Sequence, residues 1–352
     1  MSCHVVGLRL SLAAALLVLG GTSCSTSGGG SRAADAGPGD SAGDPLVPIA
    51  DEASGAGGSL GDGGGDKEPP LRTPPTCGPR LNRPWTVGHC ATFELATWNI
   101  RNFPAAMETP RLVAQLVREM DLDLVAVQEI AHAAAFEEML SLLPGYGGIL
   151  SPHTYRSGEY QKTGFIFKED HVVVDAVDSL FTFNSYVFPR PPLAAQFDVL
   201  LPGGQSARFL LVDVHLKAGV DAEDARRRRL AIDALKRYLD DFVASHPEGK
   251  AVVAGDFNDE VTDPIGEDVF QPLQAQGSGF TVLTRTLAEA GEYSFVTARS
   301  FIDQIIVTDS LRRDYRGGRT QVVLLDELVT AYDYVDDISD HLPVVASFPF
   351  LE

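Results

Sequence analysis

Short apolar runs of strand length recur along much of this chain, and six of them end at a carboxylate, an amide or an imidazole. In chain order they are ATWNI with Asn99, LVAVQEI with Glu129, LLVDVHLKAG with His215, AVVAGDFND with Asp256 and Asn258, SFIDQIIV with Asp303, and ISDHLPVVASF with Asp340 and His341. Runs of this length and composition favour β-strands. Polar residues that follow strands can meet at one edge of a sheet, so the pattern predicts one site at that edge.

Helical periodicity separates several of these runs. Thr109 and Pro110 are typical of the first positions of a helix, and apolar residues then recur on one face up to Met120. A second helix is predicted over 222–244. Its buried stripe is expected to be Leu230, Leu235, Tyr238, Leu239 and Phe242. The predicted strands are 93–100, 122–127, 164–168, 172–177, 208–215, 250–255, 302–308, 321–325 and 344–348. Strands alternating with helices favour a layered α/β domain with mixed sheets.

The N-terminus up to Cys24 has the organisation of a bacterial export signal. His4 and Arg9 precede the apolar stretch 10–19, which is too short for a membrane span. GGTSC resembles a lipoprotein signal in which Cys24 becomes the lipidated N-terminus, although Gly21 stands where a leucine is usual. Ordinary secretory cleavage and a retained helical anchor are the alternatives. We expect an exported bacterial protein, anchored by lipid and facing the periplasm or the cell surface, or otherwise secreted.

A tether is predicted between that signal and the apolar runs. Residues 25–75 are mostly Gly, Ser, Ala, Asp and Pro, a composition that cannot offset the entropy of ordering. Residues 76–352 form the predicted folded domain. Near its start, Cys77 and Cys90 are expected to form a disulfide in an oxidising compartment, with two free thiols as the alternative.

The formal net charge of −20 weighs against a protein that binds nucleic acid through a basic surface. It does not exclude a nuclease, because divalent cations can screen an anionic substrate from an acidic protein. The charge therefore lowers the expected affinity without deciding the substrate. Arg226–Arg229 is a basic run that could contact phosphate, although solvated first turns of a helix are the plainer interpretation.

The order and chemistry of the six motifs resemble the endonuclease/exonuclease/phosphatase superfamily. These metal-dependent phosphodiesterases include deoxyribonuclease I, abasic-site endonucleases, inositol-polyphosphate 5-phosphatases and bacterial sphingomyelinases. The resemblance runs from about Phe93 to the C-terminus, and GDFN together with SDH is its most specific part. It implies an α/β four-layer sandwich, in which two packed mixed β-sheets are flanked by helices.

The resemblance also implies a divalent cation, Mg²⁺ in the first place, with Mn²⁺ or Ca²⁺ able to substitute or assist. Hard cations prefer oxygen ligands and keep several waters, so one or two carboxylates suffice. Glu129 would be the main ligand and Asp340 the second. Asn99 would bind the metal, its associated water or the phosphate.

The catalytic roles follow from the same resemblance and from the needs of phosphodiester hydrolysis. Asp256 would orient or deprotonate the attacking water. Asn258 lies two residues further on, hence on the same face of an extended segment, and would hold the phosphate. Gly255 would permit close backbone approach. Asp303 and His341 would form a pair in which the carboxylate favours the protonated ring.

The deoxyribonuclease I branch is the more similar one. Tyr160 and Arg190 fall where that branch has a tyrosine and a phosphate-contacting arginine, and His215 matches a second histidine that acts near the leaving group. Two departures stand against this. Lys162 replaces the glutamate that pairs with this histidine, and Ala131 replaces an arginine that follows the metal-binding glutamate.

The function expected from the sequence is an exported nuclease that cuts DNA, with RNA left open as a second substrate. Nucleic acid would then be its partner, and we expect a monomer that meets a membrane only through its N-terminal lipid. The first alternative is a phosphatase or phospholipase C-type enzyme of the same fold, acting on inositol phosphates or lipid headgroups. The second is a catalytically inactive surface binding module, against which the full set of catalytic residue types argues.

Overall fold

The structure is a computed structural model that describes residues 82–89, 91–155, 161–201, 206–264 and 268–349. All of these lie within the predicted folded domain. The predicted export signal with Cys24, the predicted tether, and the residues Cys77, Cys90 and Tyr160 lie outside the described residues. Within the described ranges, no helix has both the length and the apolar character needed to cross a membrane.

Strands and helices alternate along the described chain. The strands are β1 (Phe93–Phe103), β2 (Leu124–Ile130), β3 (Tyr146–Leu150), β4 (Lys162–Lys168), β5 (Val172–Ser179), β6 (Leu193–Leu200), β7 (Ser206–His215), β8 (Ala251–Asp256), β9 (Phe280–Val282), β10 (Asp303–Thr308), β11 (Arg319–Val322) and β12 (Val344–Phe348). The helices are α1 (Thr109–Met120), α2 (Ala133–Ser141), α3 (Ala222–Ser245), α4 (Gln271–Gln274), α5 (Arg285–Glu289), α6 (Asp309–Asp314), α7 (Leu325–Leu328) and α8 (Tyr334–Asp337).

The strands form two mixed six-stranded sheets that pack face to face. The first sheet has the order β11-β12-β1-β2-β4-β3, and the second has the order β5-β6-β7-β8-β10-β9. β1 runs parallel to β2 and β7 runs parallel to β8, while the other neighbouring strands are antiparallel. Helices lie outside both sheets, so the predicted four-layer α/β sandwich is confirmed.

Side-chain alternation divides each central strand between two cores. On β1, Phe93 and Leu95 join the core between the sheets, whereas Ala96 and Trp98 pack against helices on the outer side. The same period of two separates the buried residues of β2, β7, β8 and β10, as expected for strands covered on both faces. The core between the sheets therefore consists of one row of side chains from each strand.

These rows change from apolar to polar toward one edge of the sandwich. On β1 the row runs Leu95, Thr97, Asn99, and on β8 it runs from Ala254 to Asp256. On β10, which runs in the opposite direction to β8, the row begins with a carboxylate, Asp303. The carboxyl ends of β1, β2, β7 and β8 share this edge, which places the predicted site residues together.

Element boundaries differ from the predicted ones where tertiary pairing decides them. β12 is confirmed as predicted, but the predicted strand 321–325 ends at Val322, because α7 begins at Leu325. β3, β6 and β9 were not predicted. α3 extends over the predicted range, but its fully buried apolar residues are Ala231, Ile232, Leu235 and Leu239, with Leu230, Tyr238 and Phe242 only half-buried beside them.

One residue of the basic run on α3 is not solvated. Arg228 is buried, and its Nε lies 2.6 Å from Oδ2 of Asp259, which is buried as well. Its Nη1 donates to the carbonyl oxygens of Lys217 and Gly219 at 3.0 and 2.8 Å. Arg228 therefore fixes the connection that follows β7 to the segment that follows β8. The interpretation of the whole run as solvated first turns was wrong at this position.

Arg228→Gln should lower the free energy of unfolding far more than the loss of an exposed ion pair would. The substitution leaves the Asp259 carboxylate buried without its charged partner, which costs about 3 to 5 kcal/mol of unfolding free energy. Arg285→Gln is the matched control, because Arg285 pairs with Glu289 at 2.8 Å on the surface, where such a pair contributes about 0.3 to 0.5 kcal/mol. Urea unfolding of both variants measures the difference, and equal losses would contradict the assigned role.

Candidate active site

The predicted site residues converge at the polar edge of the two sheets. Asn99 lies on β1, Glu129 near the end of β2, His215 at the end of β7, Asp256 at the end of β8, Asp303 at the start of β10, and His341 shortly before β12. Most of their side chains are buried, with only 2% of Asp256 and 5% of His341 exposed. Burial of so many titratable groups in one cluster is unusual and typical of a functional site.

Two hydrogen bonds join the sheets through these residues. Asn99 Nδ2 on the first sheet donates to Asp256 Oδ2 on the second at 3.0 Å. His341 precedes β12 of the first sheet, and its Nδ1 lies 2.8 Å from Oδ2 of Asp303 on the second sheet. The predicted acid–imidazole pair therefore joins Asp303 of the second sheet to the segment that leads into β12 of the first.

The electrostatics of this pair favour a protonated ring. Burial alone lowers the pKa of His341, but the adjacent Asp303 carboxylate, helped by Asp256 and Asp340, raises it to about 10. Because Nδ1 is directed at Asp303, Nε2 is the ring atom left to face a substrate, and it lies 3.8 Å from Asp256 Oδ2. At neutral pH the site thus holds a fixed positive donor beside a carboxylate.

Asp256 is held where its ionisation is finely balanced. Burial raises its pKa to about 7, with the opposing effect of His341 next in size and the repulsion of Asp303 third. Its Oδ1 accepts a hydrogen bond from the backbone N–H of Asn258 at 2.8 Å. A carboxyl group with a pKa near neutrality can accept a proton from a water molecule at physiological pH.

The segment after Asp256 turns rather than continuing as a strand. Asn258 has a φ of 53°, and its side-chain amide donates to the Leu216 carbonyl at 3.2 Å. The expectation that Asp256 and Asn258 share one face of an extended segment was therefore wrong, because the Asp256 carboxylate caps the turn. Gly255 has a φ of 148°, and a Cβ there would come within 2.0 Å of the Val214 carbonyl oxygen, so close backbone approach does require glycine.

Glu129 and His215 face each other across the two sheets. The His215 Nε2 atom lies 3.8 Å from Glu129 Oε1 and 3.6 Å from Asp256 Oδ2. Burial, followed by the nearby charges of Arg190 and His341, keeps the pKa of His215 well below its ordinary value, so the ring is neutral. His215 Nδ1 has no hydrogen-bond partner among the described residues.

Lys162 does not take over the role of the glutamate that it replaces. Its Nζ donates to the carbonyl oxygens of Ser151 and His153 at 2.6 and 2.8 Å. It therefore secures the connection after β3. The sequence departure at this position removes a partner for His215 and supplies a loop anchor instead.

A chain of hydrogen bonds that the sequence did not reveal links Arg190 to Glu129. Arg190 Nη2 donates to the side chain of Gln161, whose amide donates to Asn102 Oδ1 at 2.5 Å. The backbone N–H of Asn102 donates to Glu129 Oε2 at 2.8 Å. Gln161 lies in a loop, and Asn102 lies near the end of β1. Neither residue belongs to a motif, so the sequence does not distinguish them from ordinary solvated polar residues. The predicted phosphate contact Arg190 is thus positioned at the site.

Asp340 lies beside Arg101 rather than inside the buried cluster. Arg101 Nε approaches Asp340 Oδ2 at 3.6 Å, and the aspartate side chain is 22% exposed. By contrast, Asp256, Asp303 and His341 have ligand-type atoms that all lie within 4.8 Å of one another. Asp303 and His341 already bind each other, so this close grouping reflects their pairing as much as a metal-ligand geometry.

The residues at the edge nevertheless fit a divalent cation. Asp256 and Asp303 lie beside the protonated ring of His341, whereas Glu129 lies 3.8 Å from the neutral ring of His215, so the carboxylates outnumber the imidazolium. Asp303 Oδ1 is buried without a hydrogen-bond partner among the described residues. Carboxylate and amide oxygens such as those of Glu129 and Asn99 are the ligands that hard cations prefer.

The fold and this acid–imidazole cluster define a phosphoesterase site, and sequence comparison gives the family. The profile of the Endonuclease/Exonuclease/phosphatase family matches residues 96–341. The chain therefore belongs to this family of hydrolases acting on phosphoric ester bonds, whose enzymes depend on divalent metals. No curated protein matches the sequence as a relative.

Solved structures share the fold at low sequence identity. A D. rerio TDP2 humanized by 14 mutations is 15% identical to this chain, with a TM-score of 0.55. The match covers 73% of this chain and 99% of the TDP2 chain. The human Nocturnin catalytic domain with bound sulfate is 19% identical, with a TM-score of 0.52. The match covers 73% of this chain and 94% of the Nocturnin chain. An endonuclease/exonuclease/phosphatase from Bacteroides vulgatus is 18% identical, with a TM-score of 0.52. The match covers 73% of this chain and 98% of the Bacteroides chain.

In metal-free protein, His341 should keep its proton across neutral pH, and Asp303→Asn should lower its pKa. Because the folded pKa of about 10 lies above the unfolded value, the pair stabilises the fold fully below about pH 6.5. That contribution is lost as the pH rises toward 10. NMR titration of the imidazole and urea unfolding at several pH values measure both effects. Asp309→Asn, on the opposite edge, is the control, and a wild-type ring that titrates near 6.5 would contradict the pairing.

Proposed function

We propose that the chain is a metal-dependent nuclease that hydrolyses phosphodiester bonds of DNA, with RNA left open as a second substrate. The observation that carries the proposal is the buried cluster of Asp256, Asp303 and His341 beside Glu129 at one rim of this sandwich. The cluster supplies a base, a protonated donor and cation-binding oxygens within one site. These are the groups that hydrolysis of a phosphodiester requires.

In the proposed reaction Asp256 takes the proton of the attacking water. The water oxygen forms a bond to phosphorus, and the bond to the leaving oxygen breaks. The leaving alkoxide takes a proton from solvent, and Asp256 returns the proton it accepted to solvent. Protonated His341 donates from Nε2 to a phosphate oxygen and stabilises the negative charge that develops there. Asp303 keeps the ring in the orientation and charge state that this requires. Neutral His215 would position the leaving group by hydrogen bonding rather than by charge.

Amide and guanidinium groups would position the phosphate. Asn99 donates to Asp256 in the structure and so fixes the base. Asn258 and Arg190 both donate to the Leu216 carbonyl, at 3.2 and 3.4 Å, which places their donors beside each other at the rim. Tyr160 lies outside the described residues, and its role as a substrate contact stays a prediction.

Glu129, with Asn99 and Asp340 in support, would hold the cation, which is expected to be Mg²⁺ with Mn²⁺ or Ca²⁺ as substitutes. Bound there, the cation would neutralise charge on the phosphate. Glu129 is the least buried acid of the central cluster, with a side chain 16% exposed, so it remains accessible from solvent.

The substrate class has independent support from a neighbouring fold. A D. rerio TDP2 structure that is described as complexed with single strand DNA product is 15% identical, has a TM-score of 0.54, and covers 73% of this chain and 98% of that chain. It supports nucleic acid as a substrate that this type of sandwich can accommodate. The net charge of −20 still predicts modest affinity that depends on divalent cation.

Asp256→Asn should reduce turnover by about 10²-fold or more while leaving the fold intact, because a nearly isosteric change removes the general base. The purified chain and this variant are incubated with plasmid DNA, RNA, sphingomyelin and inositol phosphates, each with Mg²⁺ and with EDTA. Cation-dependent cleavage of nucleic acid that the variant loses is the expected result. Hydrolysis of a lipid or inositol phosphate instead would replace the proposal, and normal turnover by the folded variant would exclude Asp256.

We further propose that the protein is exported and held at a membrane through lipid on Cys24. The predicted export signal and the Gly- and Ser-rich stretch after it support this. Cys24→Ala should move the protein from the membrane fraction to the soluble fraction, because acyl chains would then be its anchor. Cell fractionation with immunodetection measures the shift. An unchanged membrane fraction would point to a retained signal helix.

A further inference from the structure

Exposed aromatic side chains flank the site on one side. The connection between β5 and β6 carries Phe183, which is fully exposed, and Tyr186, which is 44% exposed. β5 and β6 pair antiparallel, as do β6 and β7, so this connection lies at the edge where β7 ends with His215. Both rings therefore stand at the rim that holds the catalytic cluster.

This connection is fixed to α3 and holds its exposed tip in place. Phe181 stacks on the buried Phe188 with 4.6 Å between ring centroids, and meets Tyr238 of α3 edge-on at 6.2 Å. Within the tip, the backbone N–H of Phe188 donates to the Asn184 carbonyl at 2.9 Å. Because the tip is anchored, Phe183 is exposed in a fixed position. Binding of a partner therefore does not have to order the loop, which would cost conformational entropy.

Two arginines of α3 surround Tyr186. Arg227 Cζ lies 4.9 Å from the centroid of the Tyr186 ring, and its Nε donates to the Tyr186 carbonyl at 2.6 Å. Arg226 Nη1 donates to the Tyr186 hydroxyl at 2.6 Å and lies 3.5 Å from Glu223 in an exposed ion pair. The Tyr186 hydroxyl also donates to Glu223. A phosphate bound to Arg226 would therefore take the place of this carboxylate at both contacts.

We call Phe183, Tyr186, Arg226 and Arg227 the rim platform. Arg190 lies in the same connection as Phe183 and Tyr186, and its Nη1 donates to the carbonyl oxygen of Leu216, the residue after His215, at 3.4 Å. Guanidinium groups thus extend from the cluster to the platform on a chain that is otherwise strongly acidic.

We propose that the rim platform binds a single-stranded stretch of nucleic acid next to the bond that is cut. Arg226 and Arg227 contact phosphates, and Phe183 and Tyr186 stack on unpaired bases. Alternating guanidinium and aromatic groups match a strand in which charged phosphates alternate with flat bases. The proposal deepens the proposed nuclease function and rests on it, since it names the substrate form at the same site.

A lipid surface is the competing partner of an exposed phenylalanine. Insertion into a membrane favours a contiguous apolar tip. In the rim platform, however, a guanidinium lies over the Tyr186 ring and a second one binds its hydroxyl, so the exposed aromatic surface is interrupted by charge at Tyr186. Stacking on exposed rings also requires unpaired bases, which favours single strands over duplex DNA.

Binding is measured in the full chain with Asp256→Asn in the background, so that cleavage of the probe is slow during the measurement. The probes are a fluorescein-labelled single-stranded DNA, the same sequence as a duplex, and vesicles of phosphatidylcholine with phosphatidylglycerol, all in Mg²⁺. Phe183→Ser should weaken single-strand binding about 10-fold, the usual scale for one stacked base. Arg226→Gln with Arg227→Gln should reduce the slope of log affinity against log salt by roughly 1.4, because two phosphate contacts on a single strand are lost.

Arg312→Gln is the matched control, because Arg312 is an exposed arginine of α6 at the opposite edge. Equal single-strand binding by the platform variants and this control would overturn the proposal. So would a loss of vesicle binding with single-strand binding unchanged. Hydrolysis of bis(p-nitrophenyl) phosphate, a small diester that does not reach the platform, is followed with Asp256 restored. It should be unaffected by the platform substitutions, whereas failure of the wild-type chain to hydrolyse it would contradict the proposed function separately.

Discussion

Polar contacts between the two sheets fix the geometry on which the site depends. Farther from the site, Gln128 of β2 donates to Asp213 of β7 at 2.7 Å, and Asp213 also accepts from the backbone of Gly164 at 3.1 Å. At the rim, Asn99 and Asp256 and then Asp303 and His341 continue the series. Apolar packing tolerates small shifts between sheets, whereas a buried hydrogen bond that is lost leaves an unsatisfied polar group and costs free energy. The sheets are therefore held in register where the chemistry needs it.

Burial gives the cluster its reactivity and also its need for a cation. Burial raises the pKa of Asp256 to about 7, while Asp303 holds the pKa of His341 at about 10. The first group can therefore gain a proton at a pH where the second keeps one, which separates base from donor by environment alone. The same burial concentrates carboxylates that His341 cannot neutralise by itself. A divalent cation at Glu129 would complete the charge balance of the site.

The sequence predicted the residues whose local signal is strong. Asn99, Glu129 and Asp256 follow apolar runs, and the edge of a sheet brings such residues together whatever the exact register. It did not predict β6, because LAAQFDVL carries Ala, Gln and Asp among its apolar residues and becomes a strand through pairing with β5 and β7. It also misplaced Asn258, whose backbone turns because of a contact with the preceding Asp256 side chain.

Buried polar partners were the least predictable part of the molecule. Arg228 lies in a run of four arginines, and only its position on α3 opposite Asp259 distinguishes it from its neighbours. Gln161 and Asn102 join Arg190 to Glu129 through contacts between segments that are distant in sequence. Spacing along a chain reports periodicity within one element, but a hydrogen bond between elements depends on how they are placed in three dimensions.

Strand ends carry the buried acid–imidazole cluster of this protein, and the loops at the same rim carry the exposed aromatic and arginine side chains. The groups of the buried cluster stand on strands of the two packed sheets or directly beside them, so the packing of the sheets fixes their positions. The connections after β5 and β7 lie at the same rim, and they carry Phe183, Tyr186 and, through α3, Arg226 and Arg227. Substitutions in these exposed segments leave the buried cluster intact, so substrate form can change while the reaction is kept. A shared sandwich therefore predicts the type of bond that is hydrolysed, and the rim determines which molecule presents it.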